Sequence, residues 1–245
     1  MSVQPPPGLK PSTRWPGFLI GPDPDRITLS QISETQFVLQ STLWYTGELG
    51  VTPKNSDVEE ALRSVSPAVL GPTDLASVPA PFRWWINTYG VHTPAALIHD
   101  RFIGDPAQMK QLSGLTEQDV DRCFRFMLGT LGVSKPRRWL IWAAVAVRTR
   151  LMSGMRRRIQ MILWFALAVL GLFLTFRASQ GAVSWWWPIL LPIPSAALWG
   201  HQWGAGIAIA YIGVPTLGIP AVVAALGIVW SKALGAMSAL FSRDT

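Results

Sequence analysis

"IQMILWFALAVLGLFLTF" runs from Ile159 to Phe176 without a charged residue. Its 18 residues give roughly 27 Å of helix at 1.5 Å rise per residue, close to the ~30 Å hydrocarbon core of a bilayer. Arg156, Arg157 and Arg158 precede the run and Arg177 follows it. An uncharged stretch of this length, bracketed by arginines, predicts a transmembrane helix over 156–178. The rest of the chain is organised around it.

Charge divides the 245 residues into three parts. Residues 1–134 hold 10 Lys/Arg against 13 Asp/Glu. Residues 135–158, "KPRRWLIWAAVAVRTRLMSGMRRR", hold eight basic residues and no acidic one. Residues 159–231 hold a single charge, Arg177. The pattern predicts a soluble part, a basic hinge and a membrane part. The net charge of +7 therefore sits beside an apolar segment, where lipid headgroups account for it, and no nucleic-acid partner is expected. The basic residues Arg137, Arg138, Arg148, Arg150, Arg156, Arg157 and Arg158 are expected at the membrane surface. A buried hydrophobic hairpin in a soluble protein is the alternative, but 73 residues with one charge fall far outside soluble composition.

A second span is expected over 205–231, where Pro215 and Pro220 are tolerable as kinks. Between the spans, 184–203 carries Trp185, Trp186 and Trp187, the composition of an interfacial aromatic belt, and Pro188, Pro192 and Pro194 oppose a regular helix. This segment reads as interfacial or re-entrant, with a third span as the alternative. The Lys/Arg bias puts the N-terminal domain on the cytoplasmic side of an inner membrane, and two spans return the tail, 232–245, to that side. The bilayer is the expected partner, together with a second copy of the chain through the transmembrane helices. Cys123 is the sole cysteine, which excludes an intrachain disulfide framework and a cysteine zinc site. The opening "MSVQPPPGLKPSTRWPG" has no apolar core of a signal peptide, and residues 1–25 are expected to form a Pro-rich flexible arm.

Residues 26–150 are expected to form an α+β domain, a small β-sheet plus a helix pair, ahead of the transmembrane hairpin. "FVLQSTLWY" is the best strand. "SDVEEALRSVS" predicts a short helix capped by Ser56. In "TPAALIHDRF", Thr93 suits an N-cap and Pro94 the first helical position. In "TEQDVDRCFRFMLGTLG", Thr116 and Asp119 predict a capping box, Val120, Phe124, Met127 and Leu131 an apolar stripe, and Gly132 the stop. "PRRWLIWAAVAVRTRLM" predicts a third, basic amphipathic helix lying against headgroups.

The order "TDLASVP" (Thr73–Pro79), "AALIHD" (Ala95–Asp100) and "DVDRCFRFML" (Asp119–Leu128) resembles a family of uncharacterised phage and bacterial proteins over about residues 37–150. That family is marked by a TDxASVP loop, here including Thr73, Ser77 and Pro79, then a His-Asp helix and an Asp-bearing helix. It carries no activity to transfer.

A looser resemblance carries chemistry. The pair His99-Asp100 followed by "DRCF" (Asp121–Phe124) is similar to the two antiparallel helices of secreted phospholipases A2. The resemblance implies His99 as general base, Asp121 as the group that orients it, and Asp100 as a ligand to Ca2+, with Asp74 and Ser77 in place of the family's Gly-rich calcium loop. The function expected is a membrane-anchored lipid esterase. The alternative is a non-enzymatic phage-type membrane protein, holin-like or with a lysis or assembly role, whose soluble domain binds a partner. An HD-type metal phosphohydrolase, which His92 would suggest, spaces its first His much farther upstream.

Overall fold

The computed structural model describes residues 3–34, 36–73, 90–104, 112, 115–152, 154–212 and 230–231. Small N-terminal β-sheets are followed by helices. Strands β1 (Lys10–Pro11), β2 (Phe18–Gly21), β5 (Thr42–Tyr45) and β6 (Ser64–Val65) form an antiparallel sheet in the order β1-β2-β5-β6. Strands β3 (Leu29–Gln31) and β4 (Phe37–Leu39) form a separate hairpin. The run "FVLQSTLWY" thus supplies two strands, in different sheets, divided at Gln40 and Ser41.

Within the segment expected to be a flexible arm, Lys10–Pro11 and Phe18–Gly21 are strands of the sheet. Phe18 and Ile20, on one face of β2, are fully buried, and Trp15 joins them in the core. Ile20 sits between Lys10 and Leu43 in register. Burying an aromatic and a branched side chain stabilises by about 1.5–3 kcal/mol each, enough to draw a proline-rich segment onto a sheet edge. Proline suits an edge, where its missing N–H costs no ladder bond.

Helix α1 (Ser56–Arg63) is capped by Asn55, one residue ahead of the expected Ser56: Val58 N–H donates to Asn55 Oδ1 at 2.8 Å. It buries Val58, Ala61 and Leu62. Helix α2 (Thr93–Gly104) includes Thr93 as its first residue, whose hydroxyl accepts from the Gly90 N–H at 2.9 Å. Helix α3 (Glu117–Thr130) begins at the Thr116/Asp119 capping box. Its stripe Val120, Phe124, Met127 and Leu131 is buried. Gly132 follows with φ +75, a conformation that only glycine adopts at low cost.

Helix α4 (Lys135–Met152) is the axis of the molecule. Ile141 belongs to the core shared by the sheet, α1, α2 and α3. Its neighbours Trp142, Ala143 and Ala146 belong to a second cluster with Met161, Trp164, Trp199 and Ala205. The helix is therefore covered on several faces rather than laid on a surface by one.

Helix α5 (Met155–Ser179) has 25 residues and is long and apolar enough to cross a membrane by length and composition. Its buried residues are Met161, Trp164 and Ala178, while Ile162, Leu163, Val169, Phe173 and Phe176 are exposed. Short helices follow: α6 (Trp186–Leu190), α7 (Pro192–Ser195), a 3-10 helix (Ala196–Gln202) and α8 (Trp203–Ala208). Segment 184–203 is thus helical in short pieces, packed back along α5, with Trp164 edge-on to Trp199 at 5.3 Å between centroids. Trp185, Trp186 and Trp187 are exposed. Most of the second expected span and all of the tail lie outside the described residues.

Candidate functional site

The site is built where α2, α3, α4 and the 3-10 helix meet. Helix α2 offers His99 to the interior because Ala95, Ala96, Ile98 and Phe102 hold its apolar faces against the core. The capping box fixes where α3 starts, and so places Asp121 one turn in, facing α2 rather than solvent. Asp121 is fully buried. The alternative for such a residue, an exposed charge paired with Arg122 or Arg125, does not occur.

His99 Nε2 lies 3.0 Å from Asp121 Oδ1. The ring is 6% exposed and packs on Phe124 at 5.1 Å. Asp121 is held by two further donors. The Thr149 hydroxyl donates to Oδ1 at 3.1 Å and Gln202 Nε2 donates to Oδ2 at 3.0 Å. A buried carboxylate costs several kcal/mol to desolvate, and these donors from three separate elements offset that cost. With the Asp121 carboxylate accepting, His99 Nε2 carries the hydrogen, and Nδ1 is left as the ring's basic atom.

Gln202 passes the network on. Its Oε1 accepts from Arg150 Nε at 3.0 Å. Arg150 also donates to the carbonyl oxygens of Leu198 and Trp199 and lies over the Trp199 ring. The helical path departs from regular geometry beside them, at Gly200, φ +52 and ψ −127. Burial lowers the Arg150 pKa from its ordinary value, Arg157 lowers it further, and Asp121 opposes both. Arg150 was expected at the membrane surface; it is 3% exposed, and its guanidinium is satisfied from within.

The other site residues fall as follows. Asp100 is half-buried and its Oδ2 accepts from the Thr73 hydroxyl at 2.6 Å. Thr73 pairs in turn with Phe37, N–H to O at 2.9 and 2.8 Å in the two directions, which fastens the hairpin β3–β4 to α2. Asp74, Ser77 and Pro79 lie outside the described residues. Arg137 and Arg138 are half-buried, Arg148, Arg156 and Arg158 exposed. Arg157 pairs with Glu117 at 3.5 Å.

Of the expected calcium ligands, Asp74 and Ser77 lie outside the described residues. No group of three His, Cys, Asp or Glu side chains among them is arranged to hold a metal. Asp100 brings one carboxylate, already engaged by Thr73, against the six to eight oxygens that calcium takes.

Thr149 and Gln202 were not singled out from the sequence, and Arg150 was expected at the membrane surface rather than in this network. No local pattern marks these pairings, whose partners lie 28, 52 and 81 residues apart in sequence.

Residues 67–145 match the family described as Protein of unknown function (DUF1353). The DUF1353 region spans α2, α3 and the first half of α4, and so contains both His99 and Asp121. It agrees with an uncharacterised domain family over this part of the chain. No curated protein and no solved structure matches the chain. Thr149, Arg150 and Gln202 lie beyond the DUF1353 region, so the network joins that region to the helices that follow it.

Proposed function

We propose that this chain is a membrane-anchored ester hydrolase acting on lipids, with His99 as general base and Asp121 as its orienting carboxylate. The observation that carries the reading is the 3.0 Å contact between His99 Nε2 and a fully buried Asp121. A general base needs its ring held in one tautomer, with the other nitrogen left for the proton. Nδ1 would take a proton from a water attacking the ester carbonyl and return it to the leaving alkoxide, giving acid and alcohol. Asp121 faces the imidazolium formed in between. No step is routed through a metal. The phospholipase A2 resemblance supports this assignment of roles.

The anchor is α5. Its exposed apolar side chains form far more than a scattered surface population, and lipid is the cover that suits a helix of this length. The arginines at its N-terminal end favour a cytoplasmic N-terminal domain at the inner membrane, and the second limb of a hairpin would follow α8. An anchor keeps the site at high effective concentration of lipid.

A second reading is non-enzymatic: a phage-type membrane protein with a holin-like, lysis or assembly role. It is favoured by the three donors on Asp121, which suit a polar lock between the DUF1353 region and the membrane helices.

One experiment separates the two. The wild type and His99→Ala are reconstituted in liposomes with and without calcium, and fatty-acid release and dye leakage are followed separately. Release that disappears in His99→Ala supports the hydrolase. Leakage in both proteins with fatty acid in neither rejects it and leaves the membrane-remodelling role.

A further inference from the structure

A pocket of about 400 Å³ opens where the start of α3 faces α4 and the turn into α8. Its wall includes Arg122, Arg125, Trp139, Trp142, His201 and Trp203. We propose that this pocket binds a phosphate-bearing anion, either the headgroup of an anionic phospholipid or free phosphate. The source at a bilayer rests on the anchor reading above; the pocket itself does not.

Several observations carry this. Arg122 and Arg125 lie one helical turn apart and make no ion pair with a carboxylate among the described residues. The one carboxylate in the wall, Asp119, is taken up by the cap, where its Oδ2 accepts from the Thr116 N–H at 3.1 Å and hydroxyl at 2.6 Å. The Arg125 guanidinium lies 4.6 Å from the ring centroids of both Trp139 and Trp142. A guanidinium held over aromatic faces keeps its N–H donors in plane and free, the arrangement that binds phosphate oxygens in pairs. Burial lowers the Arg125 pKa from its ordinary value, and the like charges of Arg122 and Arg138 lower it further. An anion relieves that repulsion. Trp142 adds a buried indole N–H with no acceptor among the described residues.

The pocket is also at the right level. Glu117, which opens α3, pairs with Arg157 in the first turn of α5. The start of α3, and with it Arg122, therefore sits at the N-terminal end of the apolar helix, where headgroups lie if α5 spans a bilayer. Trp203, 61% exposed at the rim, has the amphipathic ring suited to that boundary.

The test uses the full-length protein in a mild nonionic detergent, with binding measured by calorimetry. The probes are dihexanoyl phosphatidic acid, dihexanoyl phosphatidylcholine and inorganic phosphate. Phosphatidic acid or phosphate is expected to bind, phosphatidylcholine to bind at least about tenfold more weakly than phosphatidic acid, and Arg122→Glu to weaken the anion at least about tenfold, since charge-assisted contacts to phosphate carry such affinity. Arg122 is exposed, so the variant is expected to keep the wild-type melting temperature; Arg125→Gln provides a second, charge-removing variant. The arm that binds names the source. His99→Ala is expected to bind as the wild type does, which separates this pocket from the His99–Asp121 pair. Absence of binding by both phosphatidic acid and phosphate, or binding by Arg122→Glu and Arg125→Gln equal to the wild type, overturns the proposal. Because the measurement is made in detergent, a chain that proved not to be membrane-anchored would show it by fractionation and leave this result standing.

Discussion

Arg150 and Asp121 are joined through a single amide. Gln202 accepts from Arg150 Nε through Oε1 and donates to Asp121 Oδ2 through Nε2, each at 3.0 Å. Only one orientation of the amide serves both partners, because the cation offers only donors and the carboxylate only acceptors. The two charges are buried and neither touches the other's side chain through any described hydrogen bond.

Gln202→Leu keeps the volume but leaves one donor of Arg150 and one acceptor of Asp121 unpaired in the interior. The expected cost is about 2–4 kcal/mol, from the desolvation of unsatisfied polar groups next to charge. Thermal unfolding of the full chain in detergent should show a lower melting temperature, while a substitution at the exposed Arg148 should leave it unchanged. An unchanged melting temperature in Gln202→Leu would contradict the bridging role.

Asp121→Asn preserves shape and still accepts from His99 and Thr149, but its amide N–H2 then meets the N–H2 of Gln202. Turning Gln202 over only moves the clash to Arg150. The loss is expected at about 3–5 kcal/mol. The double variant with Gln202→Leu should cost less than the sum of the two singles, since the opposed amide is gone. Additive losses in that cycle would place the two residues in independent environments.

The Cys123 thiol is buried, and burial pushes its pKa up from 9.0 to about 12. The thiolate is the reactive form, so the folded protein is expected to resist maleimide at pH 8 and to react with one equivalent once unfolded. The sign for stability follows from the raised value. The unfolded chain loses the proton near 9 and the folded chain near 12, so this contribution is full below pH 9 and declines as pH rises toward 12. Stability that rose across that alkaline window at a fixed salt concentration, with the other titrating groups accounted for, would count against it.

Asp25 pins the segment between β1 and β2. It accepts from the Ser12 hydroxyl, the Thr13 N–H and hydroxyl, and the Arg14 N–H, at 2.7–3.1 Å. The Arg14 backbone bond and then the Thr13 hydroxyl hold its pKa below 3.8. The contribution is present above that value and lost as pH falls through the lower folded value. Asp25→Ala is expected to speed limited proteolysis within residues 10–21 at neutral pH, with the rest of the chain cut as in the wild type.

Short-range physics made part of this fold legible. The Thr116/Asp119 cap, the stripe from Val120 to Leu131 and the Gly132 stop each depend on residues within one or two turns, and each stands in the structure as read. The apolar helix was legible too, because eighteen uncharged residues leave few alternatives. The folded N-terminal strands were obscured by proline, whose local meaning outweighed the period-two spacing of Phe18 and Ile20. Arg150 could not be placed from its neighbours. Its partners lie 48–52 residues downstream, and two of them are backbone carbonyls beside the irregular Gly200. For the site, proximity of His99 and Asp121 followed from two caps and a spacing, whereas the donors Thr149 and Gln202 arrive from segments that carry no local mark of it.

Helix α4 gives Ile141 to one core and Trp142 to the other, on consecutive residues. The DUF1353 region therefore cannot be lifted off its apolar helices as an independent module. A chain cut after residue 152 would bare Trp142, Ala143 and Ala146 and strand Arg150 and Asp121 without Gln202. A domain swap made at the basic hinge would graft half a rod. The surroundings of Asp121 and the helices that follow the DUF1353 region thus share one set of side-chain bonds.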